Sequence, residues 1–227
     1  MRAALNHAFR DGLVASDGAW RKVKSFKSVD AARVRYLTVE EARRLVNASD
    51  SEFRILVQAA LQTGCRYSEL ARLEVADFNP DSGTLAIRQS KSGRARHVVL
   101  TNEGTSLFGR LTAGRTGSEV MLRKANGDAW RTSHQLRPIA QACQRAKINP
   151  PVSFHALRHT WASLTAMNGT PLLVVAKNLG HADTRMVERH YGHLAPSYIA
   201  DALRAGAPKF GFKPDSKIAT LAGKLAP

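Results

Sequence analysis

Three stretches of this 227-residue chain hold the side chains that could do chemistry together. They are Thr63-Gly64-Cys65-Arg66-Tyr67-Ser68-Glu69-Leu70, His155-Ala156-Leu157-Arg158-His159, and Leu179-Gly180-His181 followed by Tyr191. Guanidiniums, imidazoles, a carboxylate and a phenol hydroxyl are what cleavage of a phosphodiester needs when no metal takes part. The guanidiniums neutralise charge developing on the phosphate oxygens, the imidazoles move protons, and the tyrosine oxygen attacks.

Taken singly, each group also has an ordinary reading. Arg66 and Glu69 stand at i and i+3, the spacing of a surface ion pair as much as of a buttressed guanidinium. His155 and Arg158 have the same spacing and so share one helix face, where they could grip one phosphate and pass a proton. His155 and His159 stand at i and i+4, as two zinc ligands would. The intervening Glu of the His-Glu-x-x-His motif is absent, however, and no cysteine is near in sequence, so no metal site is expected. His181 follows a glycine that could simply end a helix, and Tyr191 could be a helix-end tyrosine. The order and combination of the groups carry more weight than any one of them.

The elements that must position these groups are mostly helical. Thr38 and Glu41 form a capping-box pattern, which predicts a helix over residues 39–47. A second helix over 51–63 carries Phe53, Leu56, Val57 and Leu61 on one stripe and closes at Gly64; a third runs from Tyr67 to Leu73. The period then changes. Thr84-Leu85-Ala86-Ile87-Arg88 and His97-Val98-Val99-Leu100 read as short antiparallel strands joined through Lys91-Ser92-Gly93. Helices are predicted over 103–111 and 135–147, then from a Ser153 cap to Asn168. Three more follow: 171–178 with Thr170 as cap and Pro171 first, Asp183 to His190, and 197–204. The fold class is therefore α+β, predominantly α-helical, with a small antiparallel β-sheet inserted. Residues 1–30 read as a short helix with Leu5, Phe9 and Leu13 four apart, then a basic linker, the end of something larger upstream. Residues 31–204 form the main domain and 205–227 a tail.

Composition narrows the partner. The net charge is +16, from 34 Lys and Arg against 18 Asp and Glu. The cations are spread along the chain (Arg21, Lys22, Lys24, Lys27; Lys91, Arg94, Arg96; Arg123, Lys124, Arg131; Arg185, Arg189), as on a folded surface that follows a polyanion backbone. Hydrophobic residues are 44%, enough for a sizeable core. Cys65 and Cys143 offer no disulfide framework and suit a reducing, cytoplasmic setting. No signal-peptide pattern opens the chain, and no apolar run is long enough to span a bilayer.

The motifs together resemble the catalytic domain of the tyrosine recombinases, the phage-integrase family. That family shows an Arg in a Thr-Gly-x-Arg-x-x-Glu-Leu context, a Lys in a β-hairpin, His-x-x-Arg, Leu-Gly-His and a later Tyr. Here these positions are Arg66, Lys91, His155 with Arg158, His181 and Tyr191, and the match runs from about Tyr36 to Leu194. The resemblance implies the tyrosine-recombinase catalytic-domain fold and integration or excision of a prophage or mobile element at double-stranded DNA attachment sites. It implies that Tyr191 attacks to give a 3′-phosphotyrosyl intermediate and that Arg66 and Arg158 stabilise the phosphate. Lys91 would protonate the leaving 5′-oxygen, His155 would assist proton movement at the nucleophile, His181 would hydrogen-bond the phosphate, and Glu69 would orient the cluster from behind. Such exchange conserves bond energy and implies no cofactor and no metal. A homotetramer on two duplexes is the implied assembly, with the tail, including Ala219 to Leu225, available to dock in trans. The His181-to-Tyr191 interval of ten is one longer than in many relatives; Tyr198 is the nearby substitute. Only residues 1–30 represent the family's core-binding domain, so the chain reads as a fragment or truncated gene, binding as a monomer if so. A type IB topoisomerase-like enzyme and a non-catalytic DNA-binding relic are the alternatives.

Overall fold

Thr38 starts the main body as its pattern predicts. Its hydroxyl accepts from the Glu41 N–H at 3.1 Å, and the Glu41 carboxylate accepts from the Thr38 N–H at 2.9 Å, closing the capping box on α3 (Val39–Ala48). The preceding Leu37 N–H donates to Thr160 Oγ1 at 2.9 Å, which pins this start to a distant helix.

The computed structural model describes residues 1–24, 35–88, 95–181, 183–192, 204–208 and 211. The linker 25–34, the hairpin turn with Lys91, residues 197–203 of the helix expected over 197–204 (Tyr198 among them), and nearly all of the tail lie outside the described residues. The chain divides into two compact units, Met1–Arg33 and Val34–Pro227. In the first, α1 (Arg2–Arg10) and α2 (Gly18–Arg21) are joined by a 2.8 Å bond from Trp20 Nε1 to Asn6 Oδ1, and neither helix buries a residue. Helix α1 ends before Leu13, which stands exposed, so the four-residue stripe is shorter than its spacing suggests.

In the second unit α4 (Ser51–Thr63) packs against α8 (His155–Met167). Phe53, Leu56, Val57, Ala60 and Leu157 are within 1% of complete burial. Burying each of the Phe, Leu and Val side chains contributes about 1.5–3 kcal/mol. Gly64 ends α4 in the left-handed region, φ +64°, where a Cβ would lie 2.7 Å from the Trp161 ring. Only glycine suits both the backbone and the contact. α5 (Tyr67–Leu70) is shorter than predicted, because the chain turns at Ala71 and Arg72.

The sheet has three antiparallel strands, β1 (Phe78–Asn79), β2 (Thr84–Ile87) and β3 (Arg96–Val99), in that order. Leu85 pairs with Val98, and both are fully buried, while Ala86 pairs with His97 on the other face. β1 was not predicted: two residues are too few to show a period. α6 (Asn102–Thr112) is capped by the Thr101 hydroxyl, and α7 (Leu136–Arg145) lies against α3.

The remaining helices are α9 (Leu172–Leu179) and α10 (Arg185–Tyr191). Three predicted caps are each displaced by one residue. Phe154, in helical conformation, precedes α8, and only the Ser153 carbonyl takes part, accepting from Ala156 N–H. Pro171 is extended, ψ 133°, so α9 starts one residue later than predicted. Thr184, not Asp183, stands at the N-cap of α10, although Asp183 Oδ1 one residue earlier accepts from Arg185 N–H at 3.0 Å. Among the described residues no helix is long and apolar enough to cross a membrane.

Candidate active site

The end of α4 and the start of α5 deliver Arg66. Gly64 stops one helix, Cys65 is buried, and Arg66 sits at the N-cap of the next. Glu69 reaches back to it: Oε2 accepts from the Arg66 backbone N–H at 2.9 Å, and Oε1 from Arg66 Nη1 at 2.9 Å. The Glu69 side chain is 2% exposed and Arg66 26%, so the carboxylate is the buried support and the guanidinium faces outward.

A second arginine, Arg96 on β3, completes this support. Its Nη2 and Nη1 lie 2.8 and 3.1 Å from the two oxygens of Glu69, and its Nε donates to the Asn178 carbonyl of α9 at 2.8 Å. Burial alone would raise the Glu69 pKa, but hydrogen bonds from Arg96 and Arg66 hold it below the usual carboxylate range. Sequence reading placed Arg96 among cations following a phosphate backbone; the structure makes it an internal brace. Its signal was position: on a strand two residues before buried Val98, it faces the same side.

Arg158 is held differently. Its guanidinium is buried, yet among the described residues no carboxylate touches it; Nη1 donates to the Gly64 carbonyl at 2.8 Å and Nη2 to the Leu179 carbonyl at 2.7 Å. These are carbonyls at the C-terminal ends of α4 and α9, where helices leave acceptors unpaired and carry partial negative charge. Burial, then nearby Arg66, lowers the Arg158 pKa to about 10, and the group stays charged at neutral pH.

Gly180 ends α9 in the left-handed region, φ +73°, and turns His181 towards Arg158, whose Nη2 is 3.0 Å from Nε2. An arginine N–H can only donate, so Nε2 accepts and the proton rests on Nδ1, which has no partner among the described residues. Burial, then Arg158 and Arg66, pushes the His181 pKa down to about 4. Two guanidiniums thus grip the Glu69 carboxylate while a third, Arg158, feels its charge without touching it, and the surplus positive charge suits an anion.

Tyr191, the last residue of α10, is 3% exposed and lies among Ala162, Val175, Leu179 and Val187. Burial raises its pKa to about 12, against the opposing effect of Arg158. Its hydroxyl lies 2.6 Å from Nδ1 of His159, the residue after Arg158 on α8. His159 is held near pKa 4 by burial first, then by His155, His190, Arg158 and His181. His155 is exposed one turn before Arg158, with its ring 4.8 Å from that of His159. Partial burial, Arg158 and Arg66 lower its pKa.

The structure therefore joins Arg66, Glu69, Arg158 and His181 by direct contacts or mutual electrostatics, and places His155 beside them. Lys91 lies outside the described residues. Sequence reading weighed His159 only as a zinc ligand; its contact with Tyr191 spans 32 residues and leaves no local pattern.

Residues 35–197 match the family model described as the phage integrase family. The integrase of Salmonella phage P22 is 29% identical over 189 residues, covering 79% of this chain and 49% of the relative. The integrase of Haemophilus phage HP1 is 31% identical over 160 residues, covering 70% of this chain and 42% of the relative. The chain thus spans about half the length of the curated relatives it matches. Among solved structures, the catalytic domain of bacteriophage HP1 integrase superposes with a TM-score of 0.61 at 27% identity, covering 79% of this chain and 99% of that one.

Proposed function

The chain belongs to the phage integrase family, and we propose that it carries the strand-cleaving site of a site-specific DNA recombinase with Tyr191 as nucleophile. The observation that carries this reading is the placing of Tyr191: its hydroxyl is bonded to the residue that follows Arg158, and Arg158 is near enough to oppose the rise in its pKa.

In this reading Tyr191 Oη attacks the scissile phosphorus, forming a 3′-phosphotyrosyl bond as the bond to the 5′-oxygen breaks. Arg66 and Arg158 stabilise the non-bridging oxygens, where removal of one fixed donor costs about 10²–10³ in rate. Arg158 has donors to spare after its two carbonyls, because a guanidinium carries five N–H groups. His181 and exposed His155 hydrogen-bond the phosphate. Glu69 and Arg96 fix Arg66 from behind. Lys91 delivers a proton to the departing 5′-oxygen. Bond energy is kept in the phosphotyrosine, and the 5′-hydroxyl of another strand can reverse the step.

Double-stranded DNA is the partner, supported by the +16 net charge, and integration or excision of a prophage or other mobile element is the biological reaction. Synapsis of two duplexes calls for a homotetramer. The test is recombination between two copies of a DNA site selected for binding, placed on one plasmid. Recombinants that vanish with Tyr191→Phe support the recombinase reading. Relaxation of supercoils without recombinants would favour a topoisomerase-like enzyme, and site binding with neither activity a DNA-binding relic.

A further inference from the structure

The acceptor of the Tyr191 proton is a separate question from the phosphate-binding groups. The hydroxyl is buried, its pKa is raised, and attack on phosphorus requires the proton to leave. A group that takes it must lie within about 2.6–3.2 Å of the oxygen. Among the described residues, the hydrogen-bond partner recorded for the Tyr191 hydroxyl is His159 Nδ1, at 2.6 Å.

We infer that His159 is the general base for Tyr191, a role that rests on the recombinase reading of the site. The Oη–H bond breaks and its proton passes to Nδ1, giving an imidazolium. The electron pair left on Oη forms the bond to phosphorus. The bond from phosphorus to the 5′-oxygen breaks with its electron pair on that oxygen, which takes a proton from the general acid assigned above to Lys91. In the reverse step the 5′-hydroxyl attacks phosphorus and gives its proton back to the deprotonated Lys91 amine, the bond from phosphorus to Oη breaks, and the His159 imidazolium returns its proton to that tyrosine oxygen.

The surroundings fit this role. His159 is mounted mid-helix on α8, so its reach to α10 is set by packing and not by a loop. The groups facing it are His155 and Arg158 on its own helix, His190 and Tyr191 on α10, and His181 after α9. These are cationic, titratable to a cation, or neutral, and none is a carboxylate. They keep the ring neutral at neutral pH, and the role requires the tautomer protonated on Nε2, whose Nδ1 lone pair accepts from the tyrosine O–H. The negative charge of a bound phosphate would counter that field when the proton arrives. An imidazolium left among cations is also a ready acid, which suits a step that must run in both directions.

The test uses single-turnover formation of covalent adduct by the full chain on nicked duplexes, with either the ordinary 5′-oxygen or a 5′-bridging sulfur at the scissile bond. Sulfur leaves without protonation, so that substrate isolates the proton transfer at tyrosine. His159→Gln can still accept the hydrogen bond and hold Tyr191, but cannot take the proton. The expected result is unchanged folding and DNA affinity with an adduct rate lower by about 100-fold on both substrates. Its rate should then rise with pH while the wild-type rate stays level from pH 6 to 8. Cleavage by His159→Gln at the wild-type rate would overturn the inference and leave His159 a positioning residue. A defect that disappears on the sulfur substrate would also overturn it, placing His159 at the leaving group. Absence of adduct from the wild-type chain on DNA it binds, or adduct that persists in Tyr191→Phe, would instead sink the underlying recombinase reading.

Discussion

Arg96 holds the carboxylate of Glu69 with both terminal nitrogens, at 2.8 and 3.1 Å, so a strand of the sheet grips the residue that steadies Arg66. The same guanidinium bonds the Asn178 carbonyl of α9, just ahead of the turn that presents His181. One side chain thereby links the sheet, the Arg66 junction and the His181 turn.

Removing one partner of a buried ion pair costs about 3–5 kcal/mol, because the other charge is left uncompensated. In Arg96→Ala, Glu69 keeps Arg66, so the lower end of that range, about 3 kcal/mol, is expected. For a chain of this size that is a fall in Tm of roughly 6–12 °C. Adduct formation should fall as well, since Arg66 loses its fixed support. A thermal melt unchanged by the substitution would mean that the pair contributes nothing.

The two phosphate-binding arginines should separate in stability while agreeing in activity. Arg158→Ala leaves the Gly64 and Leu179 carbonyls without their guanidinium donor, at about 1–3 kcal/mol for each buried group. Arg66→Ala leaves Glu69 on Arg96, and a part-exposed ion pair is worth under about 1 kcal/mol. Adduct rates should fall at least about 100-fold in both. Paired thermal melts and single-turnover assays check this; equal losses of stability would contradict the assignment of Arg158 to the two helix ends.

Much of this site was legible because its parts obey local rules. Gly64 as a helix stop, Glu69 three residues from Arg66, and His155 with Arg158 on one face follow from helix periodicity and capping. The grouping of Arg66, Arg158 and His181 was carried by the resemblance. Arg96 and His159 were visible as residues but not as partners. An internal brace between a strand and two helix ends, and a bond from α8 to α10, are tertiary facts with no spacing to betray them. The displaced cap at Ser153 shows the same limit, since burial of Phe154 overrode the better capping side chain by one residue.

Gly180 should resist substitution for two reasons at once. Its φ of +73° is unfavourable for a side chain, and a Cβ there would lie 3.0 Å from Cδ and Nη1 of Arg96. Gly180→Ala should cost about 1–3 kcal/mol in a melt and also lower adduct formation, because the displaced group is the Glu69 brace. Gly64→Ala should be at least as costly, with its Cβ 2.7 Å from the Trp161 ring. A fully stable Gly180→Ala chain would contradict the close approach.

Acid should destabilise the fold above the carboxylate range. His159 and His181 have folded-state pKa values of about 4 against an ordinary 6.5. Between those values the unfolded chain binds more protons than the folded one, so stability is complete above about pH 6.5 and falls as pH drops towards 4. Both rings are partly exposed, which reduces the effect to about 1–2 kcal/mol together, or roughly 2–8 °C in Tm. Glu69 and Glu41 have lowered values and lose their contribution only further down. The double variant His159→Gln with His181→Gln should flatten the melt profile between pH 7 and 5. A wild-type Tm constant over that interval would contradict the neutral state of these two half-buried imidazoles.

Every role proposed for this site depends on Tyr191 becoming covalently joined to DNA. The direct measurement is denaturing electrophoresis after incubation with a nicked suicide duplex that the protein is shown to footprint, followed by peptide mass analysis of any adduct. The expected result is a denaturation-resistant band carrying the 3′ end of the cut strand, mapped to Tyr191 and absent from Tyr191→Phe, with the footprint of that variant intact. A footprinted duplex that yields no adduct, or an adduct that maps to another residue or survives Tyr191→Phe, would contradict it.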